Sequence, residues 1–277
     1  MAWHSHAINQ SCPGMDVVSR IIEQERPIIS MSALPQTSAQ TSATTGTASA
    51  VTGSFRKTGE PDISESPLHP RRKSRRIMVG PVPVGGGAPI SVQSMTNTDT
   101  NDTEASVAQI ERIDRAGGKI VRLTAQGRRE GENLENIVRQ LRADGFRTAV
   151  VADIHFVPEV AAIAARYVDK VRVNPGNYRL DRGDLQALIA QCRERGVALR
   201  VGVNHGSLAK RVFDEWGDTP QGMVVSAMEF LRVCRECDFD QVVVSMKSSN
   251  TRVMVAAYRL LVEAMDAEDM HYPIHLG

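Results

Sequence analysis

The stretch Lys170-Val-Arg-Val-Asn-Pro-Gly-Asn177 joins a short strand pattern to a turn that carries polar and basic residues. In a strand, side chains two residues apart share a face, so Arg172 and Asn174 point to the same side. Polar residues at the end of a strand, followed by proline and glycine, are typical of the turns in βα units. The stretch therefore predicts one strand of a parallel sheet with functional residues at its carboxyl end.

The same unit recurs along the chain. Strands are predicted at Ile90–Ser94, Lys119–Leu123, Thr148–Ala152, Lys170–Val173, Ala198–Val203, Gln241–Met246 and Pro273–Leu276. Helical periodicity separates them, for example in Val107, Ile110 and Ile113, and Pro158 and Pro220 suit the first turns of helices. Strands that alternate with helices imply a parallel sheet with right-handed crossovers.

The choice between an open doubly wound sheet and a closed barrel depends on the turns. The first βα turn lacks a Gly-x-Gly-x-x-Gly fingerprint, and almost every strand delivers polar residues at its carboxyl end. We therefore predict an α/β protein of the (β/α)8 TIM-barrel type. About six and a half βα units are visible, so the barrel in this chain is expected to be incomplete.

Residues 1–70 differ in composition from the rest. From Ser30 to Thr58 the chain is rich in Ser, Thr, Ala, Gln and Gly and contains no acidic residue, so we predict a disordered low-complexity extension. An organelle transit peptide, a plain tail, or an over-extended start with the true initiator at Met31 are the alternatives. The barrel domain is predicted over 71–277.

The composition excludes some classes of function. A formal net charge of +1 argues against a nucleic-acid-binding protein whose whole surface is basic. No apolar run approaches the roughly 20 residues of a membrane span, and no secretory signal opens the chain, so we expect a cytoplasmic protein without a membrane partner. The four cysteines suit a reducing compartment. Cys234-Arg-Glu-Cys237 lies on a helical pattern without a second pair, so no metal site is predicted in this chain.

Basic residues recur at the ends of the predicted strands. Arg122, Arg172, Arg200 and Lys247 come from four strands that would surround one barrel mouth, and Asp153 is the only evident acid among them. Their same-face companions are Thr124, Asn174, Asn204, Ser245 and His155, with Gln93 and Met95 as a weaker pair. Guanidinium groups match phosphate oxygens bidentately, so the set predicts an anion site with a diphosphate as its natural ligand.

Each of these assignments has a plainer alternative. A single arginine could be exposed because the strand is mis-phased, although repetition on four strands favours a shared pocket. His155 could donate a proton, form the pocket wall, or be structural. Gly176, Gly202 and Gly206 could serve ordinary turns or allow a ligand to approach the backbone closely, and their position beside the basic residues favours the second interpretation.

Longer signatures carry a family resemblance. They are Arg71-Arg-Lys-Ser-Arg-Arg-Ile77, Ala88-Pro-Ile-Ser-Val-Gln-Ser-Met-Thr-Asn-Thr98, Val151-Ala-Asp-Ile-His-Phe156, Arg172-Val-Asn-Pro-Gly-Asn177, Arg200-Val-Gly-Val-Asn204, Gly206-Ser-Leu208, Phe239-Asp-Gln241, Tyr258-Arg-Leu-Leu261 and His275-Leu-Gly277. In this order they resemble the 4-hydroxy-3-methylbut-2-enyl diphosphate synthases. The resemblance covers the chain from Arg71 to its last residue.

The resemblance implies an isoprenoid-pathway oxidoreductase of the non-mevalonate route. Such enzymes convert 2-C-methyl-D-erythritol 2,4-cyclodiphosphate to 4-hydroxy-3-methylbut-2-enyl diphosphate. They carry a [4Fe-4S] cluster in a C-terminal domain, receive electrons from flavodoxin or ferredoxin, and form homodimers. It implies diphosphate contacts for Arg122, Arg172, Arg200, Asn204 and Lys247. Asp153, His155, Asn174 and Ser245 match adjoining pocket positions.

The resemblance also implies residues that do not occur in the sequence. The catalytic glutamate in its Thr-Glu-Ala-Gly context is expected beyond Gly277, and so are the cluster ligands, to which Cys234 and Cys237 do not correspond. By this interpretation the chain alone binds no cluster and is inactive. The alternatives are another phosphate-ester-binding barrel, such as a pterin-binding synthase, or a non-catalytic fragment.

Overall fold

The computed structural model describes residues 71–154, 157–178 and 183–276 of the 277-residue chain. The predictions made for residues 1–70 and for His155 lie outside these ranges. In the described part, no helix combines the length and the apolar content that crossing a bilayer requires.

Helices and strands alternate after an initial hairpin. The strands are β1 (Ile77–Val79), β2 (Val82–Val84), β3 (Gln93–Met95), β4 (Ile120–Thr124), β5 (Ala149–Asp153), β6 (Lys170–Val173), β7 (Ala198–Asn204) and β8 (Val242–Lys247). The helices are α1 (Thr103–Arg115), α2 (Arg128–Ala143), α3 (Pro158–Ala164), α4 (Asp184–Arg195), α5 (Lys210–Trp216), α6 (Pro220–Glu236) and α7 (Thr251–Ala267). A 3-10 turn spans Pro175–Asn177. Pro158 and Pro220 occupy the first turns of α3 and α6, as the sequence predicts.

The six strands β3 to β8 form one parallel sheet, and their order in the sheet is their order in the chain. A doubly wound sheet would reverse its strand order at a switch point, and this one does not. Of the strand predicted at Pro273–Leu276, Ile274 alone forms a bridge, parallel to Val244, and the residues around it are not in a strand. The pairing of β3 begins at Gln93 and not at the predicted Ile90, which is exposed at this edge of the sheet.

A contact across the sheet shows that it curls. The ammonium of Lys170 on β6 donates to Gln93 Oε1 on β3 at 3.2 Å, although two strands lie between them. In a flat sheet three strand spacings would separate these residues by about 14 Å, beyond the reach of the two side chains. The predicted barrel architecture is therefore confirmed.

Two apolar cores pack on opposite faces of the curled sheet. The larger lies between strands and helices, where residues such as Leu123, Ile137 and Val201 are fully buried. The smaller fills the inside of the barrel at the amino ends of the strands. It consists of Ile77, Val79, Ile120, Ala149, Val151, Ala198 and Val243. Apolar side chains fill this end of the interior, and the polar side chains of the strands lie at the carboxyl ends.

The antiparallel β1–β2 hairpin contributes two side chains, Ile77 and Val79, to the smaller core inside the barrel. Gly80 turns it at a φ of 54°, in the left-handed region that favours glycine. Ile77 and Val79 point inward and are buried, whereas Met78 between them is exposed. Two arginines before the hairpin form ion pairs: Arg72 pairs with Asp266 at 2.6 Å, and Arg75 pairs with Asp240. These ion pairs link the segment before the hairpin to α7 and to the turn before β8.

Candidate anion-binding site

Strand register brings charged residues together on the inner face. Asp153 on β5 lies beside Arg172 on β6, and Arg172 lies beside Arg200 on β7. All three side chains are at least 95% buried. Arg122 lies on β4, the strand next to β5 on its other side, and is about one-fifth exposed. The structure thus brings Arg122, Asp153, Arg172 and Arg200 together, and their role in binding a ligand stays a prediction.

Asp153 lies between two of the arginines. Its Oδ1 accepts from Arg172 Nη1 at 3.0 Å, and its Oδ2 lies 3.3 Å from Arg122 Nε. The second contact is an ion pair without hydrogen-bond geometry. Burial lowers the pKa of Arg172, and the Asp153 carboxylate opposes that shift. One carboxylate thus offsets part of the charge of two guanidinium groups.

Arg172 is fixed in place by its neighbours on β7. Its Nη2 donates to the Gly202 carbonyl at 2.9 Å and to Asn204 Oδ1 at 3.1 Å. A side chain at Gly202 would collide with it, because a Cβ there would lie 2.5 Å from Arg172 Nε. Gly202 therefore provides the space that the guanidinium occupies.

Arg200 has a different partner. Its Nε donates to Ser245 Oγ on β8 at 2.9 Å, and both side chains are buried. Burial and the positive charges of Arg122 and Arg172 lower the pKa of Arg200 to about 10. The group remains charged at neutral pH, so the site contains three guanidinium groups and the carboxylate of Asp153.

Several donors of this cluster are not used. Arg122 Nε, Arg172 Nε and Arg200 Nη1 are buried and have no hydrogen-bond partner among the described residues. A buried donor left without an acceptor costs about 1–3 kcal/mol, and more when it is charged. An anion with several oxygens would satisfy these donors and the excess positive charge at once.

Asn174 supports the turn after β6. Its Nδ2 donates to Ser207 Oγ at 2.9 Å, and its Oδ1 accepts from the Gly176 N–H at 3.2 Å. A Cβ at Gly176 would overlap the Ser207 carbonyl. The favoured interpretation of Gly176 and Gly202, that they allow close approach of a ligand, is therefore corrected: the space beside them is filled by Ser207 and Arg172.

Lys247 and Asn204 are at the rim of the barrel. They are Cα partners at the ends of β8 and β7, and Lys247 is exposed. The predicted inward cluster of four cations thus consists of two buried arginines, Arg172 and Arg200, the partly buried Arg122, and a lysine at the mouth. His155, which the sequence also nominates, lies outside the described residues.

Two further titratable groups, Lys170 and His275, lie close to the arginines and were not among the predicted site residues. Lys170 is only 1% exposed and sits inside the barrel one layer below Arg172. Burial, with the charges of Arg200 and Arg122, lowers its pKa to about 7. Burial and the charges of Arg200, Lys170 and Arg122 lower the pKa of His275 to about 3, so its imidazole is neutral. The two-residue spacing that links Arg172 to Asn174 also places Lys170 on the inner face.

Comparison with known proteins identifies the family of this barrel. The family model described as the GcpE TIM-barrel domain matches residues 74–277. The chain belongs to the GcpE family. A 4-hydroxy-3-methylbut-2-en-1-yl diphosphate synthase (flavodoxin) of Parabacteroides distasonis is 52% identical over 228 residues, which cover 75% of this chain and 37% of that protein. The protein of the same name from Leptospira interrogans is 46% identical over 227 residues, with 75% and 34% coverage. The GcpE chain therefore spans about a third of the length of these relatives.

Solved structures share the fold at much lower identity. Dihydropteroate synthase from Xanthomonas albilineans, in complex with 7,8-dihydropteroate, superposes with a TM-score of 0.52 at 16% identity and covers 73% of this chain and 76% of that chain. A phospho-2-dehydro-3-deoxyheptonate aldolase from Thermotoga maritima gives 0.50 at 13% identity, covering 74% and 55%. Both comparisons support the barrel architecture of the GcpE chain and carry no statement about its ligand.

Two of the three described cysteines of the GcpE barrel are poorly suited to an iron–sulfur cluster. Cys192 and Cys234 are buried in the helix–sheet core, and burial raises the pKa of each thiol to about 12. Cluster ligands are thiolates, so such thiols are unsuited to the role. No group of three or more histidine, cysteine or acidic side chains within the described ranges is placed to bind a metal ion.

Replacing Gly202 with alanine should disturb the GcpE site through Arg172. The added methyl group would meet the guanidinium at 2.5 Å, and forcing it aside costs about 1–3 kcal/mol of overpacking strain. We expect a lower free energy of unfolding by chemical denaturation. A Gly127→Ala variant is the control, because its Cβ would meet only a carboxylate oxygen of Glu130 at 3.1 Å. Equal stability of both variants would contradict the packing role of Gly202.

Proposed function

We propose that this chain is the substrate-binding barrel of a 4-hydroxy-3-methylbut-2-enyl diphosphate synthase and binds 2-C-methyl-D-erythritol 2,4-cyclodiphosphate. The observation that carries the proposal is the set of unused, buried donors on Arg122, Arg172 and Arg200. Identity of about half to proteins that bear this name supports the choice of ligand.

The charges of the site suit this ligand. Three guanidinium groups and the Asp153 carboxylate leave two positive charges in excess, and the cyclic diphosphate is a dianion. Arg172 and Arg200 would bind phosphate oxygens from the barrel interior, and Lys247 would bind them from the rim at the carboxyl ends of the strands. In this proposal Arg122 and Asn204 also contact the diphosphate, and Asn174, Ser245, Asp153 and His155 are adjoining pocket residues. Asp153, Asn204 and Ser245 would orient the two buried arginines, to which they are hydrogen-bonded.

The reaction needs more than this barrel. Opening the ring with loss of a hydroxyl group consumes two electrons, which protein side chains do not supply. In the proposed function they come from flavodoxin or ferredoxin through a [4Fe-4S] cluster outside the described residues, in a protein that acts as a homodimer. The described residues contribute binding and orientation of the diphosphate.

Binding of the cyclic diphosphate to the full chain tests the proposal directly. Isothermal titration calorimetry should show saturable binding that weakens as salt is raised, since charged contacts provide the affinity. Inorganic diphosphate should compete. Absence of binding would overturn the proposal, and tighter binding of a pterin diphosphate ester would favour the pterin-binding synthase alternative.

The gene offers a second test. Reading beyond the codon for Gly277, an in-frame Thr-Glu-Ala-Gly segment and a Cys-x-x-Cys with a further distant cysteine would support the reductase. A stop codon at that point would favour the non-catalytic fragment.

A further inference from the structure

The turn that follows β7 reaches the anion-binding site. It spans residues 205–209, between Asn204 at the end of β7 and the start of α5. Asn204 Oδ1 accepts from Arg172 Nη2 at 3.1 Å. Within the turn, Ser207 Oγ accepts from Asn174 Nδ2 at 2.9 Å. The conformation of this turn therefore affects the placement of two buried residues of the site.

Asp218, which lies between α5 and α6, contacts the turn from the far end of α5. Its Oδ1 accepts from the Gly206 N–H at 2.9 Å. Its Oδ2 lies 3.3 Å from His205 Nδ1, and its backbone carbonyl oxygen lies 3.0 Å from His205 Nε2. A carbonyl oxygen only accepts, so Nε2 is the donor of that hydrogen bond. Three oxygens of one residue thus contact two consecutive residues of the turn.

These contacts close a loop of the chain around α5. Gly206 and Asp218 are 12 residues apart, and Gly206 has a φ of 83°, in the left-handed region that favours glycine. Packing reinforces the closure. A Cβ at Gly222 in α6 would lie 3.2 Å from Leu208 Cδ1 and 3.4 Å from Trp216 Cβ. The start of α6 therefore packs closely against the turn and against the end of α5.

The charge of Asp218 is unfavourable for an anion bound nearby. The turn lies at the rim of the barrel, because the His205 N–H donates to the Lys247 carbonyl at 2.9 Å. A carboxylate at this rim repels an anionic ligand, so its charge alone would weaken binding. Both carboxylate oxygens of Asp218 are directed to Gly206 and His205. Any favourable effect of Asp218 on the ligand must therefore act through the turn.

We infer that Asp218 is a positioning residue of the anion-binding site, whose carboxylate holds the turn after β7 in its binding conformation. In that conformation Asn204 accepts from Arg172, and the turn supports the neighbouring Asn174. A planar guanidinium binds phosphate oxygens through two parallel hydrogen bonds only when its direction is fixed. Loosening the turn therefore weakens binding of the cyclic diphosphate. This inference rests on the proposed function.

Replacing Asp218 with alanine gives the decisive sign. Calorimetric titration of the full chain with the cyclic diphosphate should show about tenfold weaker binding, the size of effect typical of coupled neighbours. Removal of an acid near an anion site would by charge alone leave binding equal or make it tighter. Asp214→Ala is the matched control, because its side chain is 56% exposed and pairs with Lys210 on α5. It removes an acid without touching the turn and should bind as the wild type does.

Two further variants test the route through the turn. Asp218→Asn removes the charge but keeps an oxygen that can accept from the Gly206 N–H, and should restore most of the affinity. In an Asn204→Ala background, Asp218→Ala should weaken binding by no more than about threefold further, because both changes act on the same contact with Arg172. Thermal unfolding of each variant verifies that it is folded.

Hydrogen exchange of the ligand-free wild type tests the turn without any substitution. The amides of residues 205–207 each donate to an acceptor in the described chain, so this segment should exchange slowly. Exchange as fast as that of an unstructured peptide would overturn the inference. This measurement decides even if Asp218→Ala does not fold.

The binding outcomes separate the inference from the proposed function. If the wild type binds the cyclic diphosphate and Asp218→Ala binds it equally or more tightly, the role of Asp218 is overturned and the proposed function stands. The same holds if Asp218→Asn binds as weakly as Asp218→Ala, or if the tenfold loss persists in full in the Asn204→Ala background. If the wild type does not bind, the proposed function fails and the inference with it.

Discussion

Replacing Arg172 with alanine should weaken binding of the cyclic diphosphate by about 2–5 kcal/mol, the range measured when one partner of a buried charge pair is truncated. Arg172 is 4% exposed, and the variant removes its unused Nε donor together with the group that holds Asp153 Oδ1. The site then loses a phosphate contact and half of the excess charge that attracts the ligand. Calorimetric titration against the wild-type chain measures the change.

Two companion variants show whether the loss is specific to the site. Arg172→Lys keeps the charge without the planar fork and should bind with intermediate affinity. Arg128→Ala removes an arginine that is 77% exposed and paired with Glu132 on α2, and should bind as the wild type does. Thermal unfolding of all three variants excludes global destabilisation. Unchanged affinity in a folded Arg172→Ala variant would remove the main support for the anion site.

The arginine cluster could be predicted because strand geometry is local. Side chains in a strand alternate strictly, so the order of residues alone aligns Arg172 with Asn174 and Arg200 with Asn204. Adjacent parallel strands then bring equivalent positions side by side, as the pairing of Arg172 with Arg200 shows. Fold class and the polar face of the barrel follow from these two regularities.

Other features depend on packing that no short pattern encodes. Lysine at the start of a strand is usually solvated, and Lys170 is buried only because the sheet curls far enough to bring Gln93 opposite it. The inner position of the β1–β2 hairpin likewise requires the curl of the sheet. Lys247 was expected beside the arginines, but it ends β8 at the rim, where the interior opens to solvent.

The barrel interior changes character along its axis. Apolar side chains from the hairpin and from the first residues of the strands fill the end at the amino termini of the strands, and charged side chains fill the opposite end. Lys170 marks the boundary between them. The apolar layer keeps water from reaching the arginines from below, and a lower local dielectric strengthens their interaction with an anion that enters from the mouth. The same environment makes the empty cluster costly, which links the stability of the fold to occupation of the site.

Asp153→Asn should therefore change stability and anion affinity in opposite directions. The amide has nearly the shape of the carboxylate, but it leaves Arg122, Arg172 and Arg200 without the acid that lies among them. Breaking a buried ion pair in this way costs about 3–5 kcal/mol of unfolding free energy. Urea denaturation measures that loss.

Added diphosphate should restore much of the lost stability, because an anion bound only by the folded state stabilises it by mass action and supplies the missing negative charge. The variant should also bind inorganic diphosphate more tightly than the wild type, since the site gains a positive charge. Asp214→Asn is the control: its ion pair with Lys210 is exposed on both sides, and such pairs contribute about 0–1 kcal/mol. If Asp153→Asn lost stability and anion affinity together, Asp153 would be a ligand contact or a packing residue, and the balance of charge proposed for this site would be wrong.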